Sequence, residues 1–308
     1  RKRQRYAPMN GNVNKSNTGK LLVAILAFSM IVVGCAVMLG DSTVDAAASD
    51  TQEQTSTVSY DDGSTTVYYD TLTEALSAVK DGDKVTITLL KDSEGRGIQV
   101  TPTDGNKTIT IDFAGFTYNV TETVGSTGTE TSAAQLLKGN TVTFKNGTLA
   151  SDNALRMIQN YSDLTLEDMT IDGSNMLPGY YNINGESVPA DYVSVATNCG
   201  EVVIKGETNI IQKDISNDAT GRSTYSIGVS YWNNSTYGAE GTSLTFDTTF
   251  TGEVGNIQMD WSDDGGAGTA TAEIFVNANM SFPVVDIQYG KFTVGEGTTV
   301  NIDSISWK

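Results

Sequence analysis

The sequence predicts an all-β protein made of stacked coils, and two observations carry this prediction. Short runs rich in Val, Ile, Thr and Tyr alternate with turns, and the 308 residues include 31 Gly but only 5 Pro. A unit of one β-run, a polar turn and a second β-run at 154–173 recurs downstream, at 193–210, 227–252, 257–282 and 285–302. One such unit cannot bury an apolar face alone. The repeat therefore predicts coils that share one continuous core.

Residues 1–48 are predicted to be a signal peptide or a membrane anchor. Lys15 and Lys20 precede an apolar run at 21–40, and small residues follow up to Ala48. This order is typical of a secretory signal cleaved near Ala46 or Ala48. An uncleaved anchor stays open, because about 20 apolar residues can span a bilayer. Both readings place the rest of the chain outside the cell, secreted or at the cell surface.

Residues 49–66 are predicted to be a flexible polar linker, and 67–308 to be the folded domain. One helix is expected at about 71–81. Thr71 and Glu74 have capping-box spacing, and Leu72, Leu76 and Val79 form one apolar face. An amphipathic helix laid over the open end of a coil stack would prevent edge-to-edge growth, so we expect this helix to be a cap.

The segment at 70–92, DTLTEALSAVKDGDKVTITLLKD, resembles the entry segment of right-handed parallel β-helix proteins of the pectate-lyase-like superfamily. That superfamily includes adhesin-like surface proteins of archaea and bacteria. The resemblance implies a right-handed parallel β-helix from residue 70 to the end of the chain. It is close only in the entry segment, and it marks a fold rather than an activity.

Period-two alternation predicts which side chains of each coil point inward. The expected inward pairs are Ile98 and Val100, Ala134 and Leu136, Leu155 and Met157, Val193 and Val195, Ile227 and Val229, Ile257 and Met259, and Val285 and Ile287. The residues between them should form an outward row. This row comprises Gln99, Gln135, Arg156, Ser194, Gly228, Gln258 and Asp286, with Ser230, Asp260 and Gln288 beside it.

The composition excludes several kinds of chemistry. The chain has no His, which removes Ser/His/Asp and Cys/His triads and ordinary zinc sites. Cys199 is the one cysteine after the leader, so we expect it to pack as a small apolar residue. The net charge is −18, and six of the 19 Lys and Arg residues lie before residue 49. This balance argues against nucleic acid or anionic membrane as a partner.

Catalysis is not expected. Pectate-lyase-like enzymes need an Arg or Lys base beside carboxylates that hold Ca²⁺, and Arg156 has no acidic cluster in its own coil. The one arrangement left open is Asp260 with Asp286 on neighbouring coils, nominally about 5 Å apart if their strands stack directly. No cofactor is expected. Asp260, Asp263 and Asp264 are weak Ca²⁺ candidates, since turn chemistry explains them adequately.

Aromatic residues are the other binding candidates. Tyr180 and Tyr181 lie in a long insertion at 174–191, which must leave the coil as a loop that either binds a partner or covers a coil edge. Tyr231, Trp261 and Tyr289 recur in three coils, so they should stack as internal packing or as a sugar platform. Asn233 and Asn234 are candidate glycosylation sites in a turn.

Together these features predict an exported, adhesin-like binding protein that recognises an extracellular glycan or another surface protein. Its binding residues would be Arg156, Gln258, Asp260, Asp286 and Gln288, with the aromatic residues named above. Two alternatives stay open: a polysaccharide lyase or hydrolase acting on acidic glycans, and a structural component of the cell envelope.

Overall fold

A computed structural model describes residues 56–307 except 103, 104, 184, 233–240 and 264–271, and it gives no side-chain description for 183, 231, 232 and 260–263. The strands are β1 Val58–Asp61, β2 Thr66–Tyr69, β3 Lys84–Leu89, β4 Ser93–Arg96, β5 Ile98–Val100, β6 Lys107–Asp112, β7 Thr117–Glu122, β8 Val124–Ser126, β9 Thr129–Leu136, β10 Asn140–Ala150, β11 Arg156–Asn160, β12 Asp163–Asp172, β13 Tyr180–Ile183, β14 Glu186–Pro189, β15 Tyr192–Thr197, β16 Gly200–Lys205, β17 Asn209–Ile211, β18 Thr224–Trp232, β19 Thr242–Phe246, β20 Ile257–Asp263, β21 Ala272–Val276, β22 Met280–Ile287, β23 Lys291–Val294 and β24 Val300–Trp307. Within these described residues there is one helix, α1, which spans Leu72–Ala78.

The described chain is all-β apart from α1, and long parallel sheets dominate it. The first sheet runs β2-β1-β3-β6-β10-β12-β16-β19-β21-β23, and the second runs β24-β22-β20-β18-β15-β11-β9-β5. Successive strands alternate between the two sheets along the chain from β9 to β12. Each strand then pairs in parallel with its counterpart from the preceding passage. The predicted all-β class and the repeat are confirmed at this level.

The long strands β10 and β12 pair with each other along both of their halves. On their other edges, the first halves pair with β6 and β16, and the second halves pair with β7 and β17, respectively. Between the halves the chain bends at Asn146 and Asp168, which have left-handed φ values of 61° and 52°. In the next passage Gly206 occupies the equivalent position, with φ 62°, because it follows Lys205, which pairs with Glu167. Asn, Asp and Gly tolerate this conformation best, so they occupy the bend in three successive passages.

One continuous apolar core lies between the sheets and includes residues of α1. Its main column consists of one fully buried residue from each passage, namely Ile98, Ala134, Ile158, Val195, Ile227, Ile257 and Val285. Cys199 is buried, as expected. The core therefore spans every passage through the second sheet from β5 to β22.

Two of the predicted inward pairs are wrong. The register places Ile158 and Asn160 beside Ala134 and Leu136, where Leu155 and Met157 were expected. In the next passage it places Val195 and Thr197 in the column, and Val193 packs on the other face of the sheet. The other five pairs keep the predicted positions.

The misalignment has two physical causes. In β11 the consecutive residues Met157 and Ile158 both enter the core. The strand bends there, and the bend breaks the period of two. In addition, two inward positions are polar. Asn160 is fully buried and donates from Nδ2 to the Thr197 hydroxyl at 3.1 Å, so the two side chains satisfy each other across neighbouring strands.

The folded part begins earlier than predicted. Strand β1 starts at Val58, inside the segment assigned to a flexible linker, and pairs antiparallel with β2 and β3. Val58 and Tyr60 are buried, so this strand belongs to the core. The polar residues between β1 and β2 form the hairpin turn. There Asp62 accepts hydrogen bonds from Ser64 and Thr65.

Helix α1 begins as predicted and ends earlier. The Thr71 hydroxyl accepts from the Glu74 amide, and the Glu74 carboxylate accepts from the Thr71 amide, both at 3.2 Å. Leu72 and Ala75 are buried, whereas Leu76 is only partly buried against the core. Leu76 lines a cleft of about 430 Å³ with residues of the first passage, among them Val100.

Candidate ligand-binding site

A row of glutamines crosses the outward face of the second sheet. Gln99 pairs with Gln135, and Gln135 with Gln159, in successive strands. The Gln99 amide nitrogen donates to the Gln135 amide oxygen at 3.2 Å and to the Gly125 carbonyl at 3.2 Å. Gln135 and Gln159 keep only 7% and 8% of their surface exposed. The register gives an outward row, but Gln159 holds the position expected for Arg156, and Ala196 holds the one expected for Ser194.

Arg156 lies beside the row and connects it to the long insertion. Its guanidinium donates to the Gln159 amide oxygen at 2.6 Å and to the Tyr181 hydroxyl at 3.4 Å. The amide nitrogen of Gln159 is buried and has no hydrogen-bond partner. An unpaired buried donor costs free energy of about 1–3 kcal/mol. Arg156 thus places a guanidinium group between the glutamine row and the exposed hairpin, beside a buried donor without an acceptor.

The insertion at 174–191 forms a β-hairpin, β13–β14, rather than an irregular loop. Tyr180 and Tyr181 lie at its start, and 56% and 41% of their surfaces are exposed. Both tyrosines are therefore accessible on a hairpin that pairs with neither of the two large sheets in the described residues.

Arg222 holds the base of this hairpin. Its guanidinium donates to the carbonyls of Ala190 and Gly179 at 3.0 and 3.2 Å, and it lies 4.7 Å from the centre of the Tyr180 ring. Asp218 completes the arrangement with an ion pair of 3.3 Å. Arg222 is thus a structural anchor for the hairpin that carries the tyrosines, a role that the sequence did not predict.

Beyond Gln159 the row continues with small residues, Ala196 and Gly228, and resumes with Gln258 and Asp286. Gly228 leaves room for its neighbours, since a Cβ there would come within 3.0 Å of a Val193 methyl group. Val193, Ala196 and Tyr225 form a small apolar cluster on this face. It separates the two polar parts of the row.

Asp286 is held by two hydroxyl groups. Tyr225 donates to one carboxylate oxygen at 3.3 Å and Ser306 donates to the other at 2.6 Å. Its register partner is Gln258, so Asp260 is offset along the strand and is not directly opposite Asp286. The direct stacking expected for Asp260 and Asp286 is therefore wrong.

The predicted aromatic ladder is also wrong in register. A shift after Val229 pairs Trp261 with Ser230 rather than with Tyr231. Tyr289 follows the end of β22 and is 44% exposed, and the neighbouring Gln288 is half-buried. The period-two alignment could not foresee the irregularity, because one additional residue changes the face of everything after it.

Several candidate residues lie outside the described part of the structure. These are Asp264, Asn233 and Asn234 entirely, and the side chains of Asp260, Asp263, Tyr231 and Trp261. Among the residues whose side chains are described, no group of three Asp, Glu or Cys could hold a metal ion. The Ca²⁺ hypothesis for Asp260, Asp263 and Asp264 therefore stays a prediction.

The sequence contains a signal that could have identified Gln159. Met157 and Ile158 are consecutive apolar residues, and if both point inward, the next outward residue in the glutamine row is Gln159 rather than Arg156. Arg222 had no such signal for its contact with the hairpin, because its partners at Gly179 and Ala190 are backbone carbonyls more than 30 residues away in the sequence.

Comparison with known proteins adds no identification. The chain matches no protein-family model, and no curated protein or solved structure is significantly similar to it. Within the part of the chain that the structure describes, no helix is both long and apolar enough to cross a membrane.

Proposed function

We propose that the protein is an exported cell-surface binding protein whose body is a right-handed parallel β-helix, and that it recognises a glycan without turning it over. The handedness is supported by the resemblance of the segment at 70–92 to entry segments of such proteins. The alternation of strands between two parallel sheets around one core supports the coil. Helix α1 serves as the cap of the first coil, which its apolar side contacts.

One observation carries the proposed binding: Arg156 joins Gln159 to the exposed Tyr181, beside a buried amide nitrogen that lacks an acceptor. Sugars carry hydroxyl oxygens that accept from amide and guanidinium groups. Their apolar ring faces stack on exposed aromatic rings. Tyr180 and Tyr181 provide such rings, and Arg222 fixes the hairpin that carries them. A pre-positioned site of this kind loses little conformational entropy on binding.

The catalytic alternative lacks a comparable observation. Asp286 accepts two hydroxyl hydrogen bonds and lies opposite Gln258 rather than opposite a second carboxylate. Glycoside hydrolysis usually requires two carboxyl groups flanking the bond. We therefore assign Asp286 a role in positioning the ligand on this face rather than in cleaving it.

The test is binding of the full chain, purified in a mild detergent, to an array of neutral and acidic glycans with and without Ca²⁺. We expect selective retention of one glycan class. Tyr181→Ala and Arg156→Ala should each weaken it by about tenfold or more, because central aromatic and Arg contacts dominate binding energy. The control is Tyr289→Ala. Although the sequence made Tyr289 a candidate, this 44% exposed tyrosine follows β22, four strands away from the β11 strand of Arg156, so the variant should keep full affinity.

The proposal fails if no glycan is retained, or if Tyr289→Ala lowers affinity as much as Tyr181→Ala. Incubation with the retained glycan tests turnover. New reducing ends or unsaturated products that disappear in Asp286→Asn would replace binding by catalysis.

A further inference from the structure

Five asparagines of the described residues lie in the acceptor pattern for N-linked glycosylation, which is Asn-X-Ser/Thr with X other than Pro. The pattern alone does not distinguish among them, because a chain rich in Asn, Ser and Thr produces it by chance. The fold gives the five asparagines very different surroundings. They are Asn106, Asn119, Asn146, Asn160 and Asn279.

Asn160 is the most enclosed of the five. It is fully buried, and its Nδ2 donates to the Ser162 carbonyl at 2.8 Å and to the Thr197 hydroxyl at 3.1 Å. These two bonds use both protons of the amide nitrogen. Ser162, the third residue of the same pattern, is buried too and donates its hydroxyl to the Asn160 Oδ1 at 2.8 Å. A sugar on this nitrogen would remove a donor from the core and would need space that a packed interior does not have.

Asn119 and Asn146 are half-buried, and each lies within a strand that is paired on both sides. Asn119 of β7 lies opposite Glu94 of β4 and Ala150 of β10. Asn146 lies at the bend of β10, where its Nδ2 donates to the Asp112 carboxylate at 3.1 Å. An enzyme must place its own groups around the amide nitrogen on which it acts. Presenting either asparagine in this way requires a sheet to open.

Asn106 is exposed in the turn directly before β6. Its φ of 56° is left-handed, a conformation that Asn tolerates better than most residues. The described ladders of β6 begin at Lys107, so Asn106 can be reached without breaking one. Thr108, the third residue of its pattern, is half-buried and alternates with the buried Lys107 and Ile109. The amide and the hydroxyl of this pattern therefore lie on the outer surface.

Asn279 is exposed in the turn between β21 and β22. Its side-chain oxygen accepts from the Thr299 amide at 2.7 Å, and this bond orients the side chain. Glycosylation uses the amide nitrogen and leaves the oxygen able to accept, so the hydrogen bond and a glycan are compatible. Ser281, the third residue of its pattern, is exposed as well.

We propose that Asn106 and Asn279, the exposed pair, are N-glycosylation sites of the folded protein, and that the enclosed asparagines Asn119, Asn146 and Asn160 are not. The modification rests on the proposed export of the chain, which brings it to the compartment where such glycans are attached. It does not depend on the proposed glycan binding.

The glycan donor is a lipid-linked oligosaccharide, and an oligosaccharyltransferase catalyses the transfer. A bond forms between Nδ2 of the asparagine and C1 of the first sugar. The bond from C1 to the phosphate of the lipid carrier breaks, the lipid phosphate leaves with the electron pair of that bond, and the amide nitrogen releases one proton. No oxidation or reduction takes place.

The test uses the folded full chain, made in a host without the transferase and purified in mild detergent. The chain is incubated with lipid-linked oligosaccharide and a purified transferase, chosen because it glycosylates short synthetic peptides that span each of the five patterns. These peptides are matched controls, since they present the same residues without the fold. Mass spectrometry of proteolytic fragments measures the occupancy of each asparagine in the chain.

We expect the occupancy of the exposed pair to be at least about tenfold higher than that of any enclosed asparagine, because the enclosed ones react only when the sheets open. Thr108→Val should remove the glycan from Asn106 and leave Asn279 occupied, and Ser281→Ala should do the reverse. Comparable occupancy of an enclosed asparagine, or an exposed one without glycan, overturns the proposal. Neither result bears on the glycan array, so the proposed binding is tested separately.

Discussion

Single polar residues at the bends hold the sheets in register. Asp112 accepts hydrogen bonds from the Ala114 amide at 2.9 Å and from the Asn146 side chain at 3.1 Å, and forms an ion pair with Lys145 at 3.1 Å. Burial opposes ionisation of this carboxyl group. The hydrogen bonds and Lys145 outweigh that effect and lower its pKa. The carboxylate thereby ties β6 to β10 at the point where the chain turns.

This arrangement predicts an acid-dependent stability. Because the pKa of Asp112 is lower in the folded than in the unfolded protein, its contribution is fully present above the unfolded value of about 3.9. It is lost as the pH falls through the folded value. Asp112→Asn should cost about 1 kcal/mol at neutral pH, and the difference should shrink below about pH 4. Urea unfolding at a series of pH values measures the free energy of unfolding of both proteins. A difference between them that does not change with pH would contradict the prediction.

Lys145→Met tests the cation separately. It removes one of the groups that lower the pKa of Asp112, so the stability that Asp112 contributes should be smaller and should be lost at a higher pH than in the unaltered protein. An unchanged transition would mean that Asp112 owes its ionisation to the hydrogen bonds alone.

Arg222 gives the second prediction at this scale. Its side chain is 2% exposed and donates to the carbonyls of Ala190 and Gly179, so removing the guanidinium leaves these two acceptors without their donor. Arg222→Met should therefore lower the free energy of unfolding by about 2 kcal/mol. The matched control is Arg96→Met, since Arg96 and Glu122 are 46% and 70% exposed and 3.9 Å apart, and it should cost less than about 1 kcal/mol. Equal losses in urea unfolding would rule out the anchoring role.

Helix α1 packs against the core with only part of its apolar face. Leu72 and Ala75 are buried within the core cluster, whereas Leu76 lies at the rim of a cleft between the helix and the first passage. The capping box fixes where the helix starts, and this in turn fixes which of its residues face the core.

The leucines of α1 provide a matched pair of substitutions. Leu72→Ala removes a fully buried side chain and should cost about 3 kcal/mol, because the surrounding core cannot close the cavity. Leu76→Ala makes the same chemical change at a partly buried position and should cost about half as much or less. Thermal and urea unfolding of the two variants check this, and a larger loss for Leu76→Ala would contradict the placement of the helix.

For the whole molecule, repetition builds one core, because each passage buries its apolar residues against the next. On the side of the first passage, α1 packs against this core and the β1–β2 hairpin extends the first sheet beyond β3. A helix and a hairpin at this place cover strand edges that could otherwise pair with another chain.

The sequence by itself determined the all-β class, the repeat, the start of α1 and most inward residues, because these depend on local periodicity and on a capping pair three residues apart. Only the tertiary structure decided the register at Ile158 and Val195, since a bend that buries two consecutive residues shifts the alternation without changing composition. It likewise decided that Gln159 lies where Arg156 was expected, and that Arg222 holds the Tyr180 hairpin through backbone carbonyls. Contacts to distant backbone atoms leave no mark in the sequence, and this is the physical reason that the candidate site was only half foreseen.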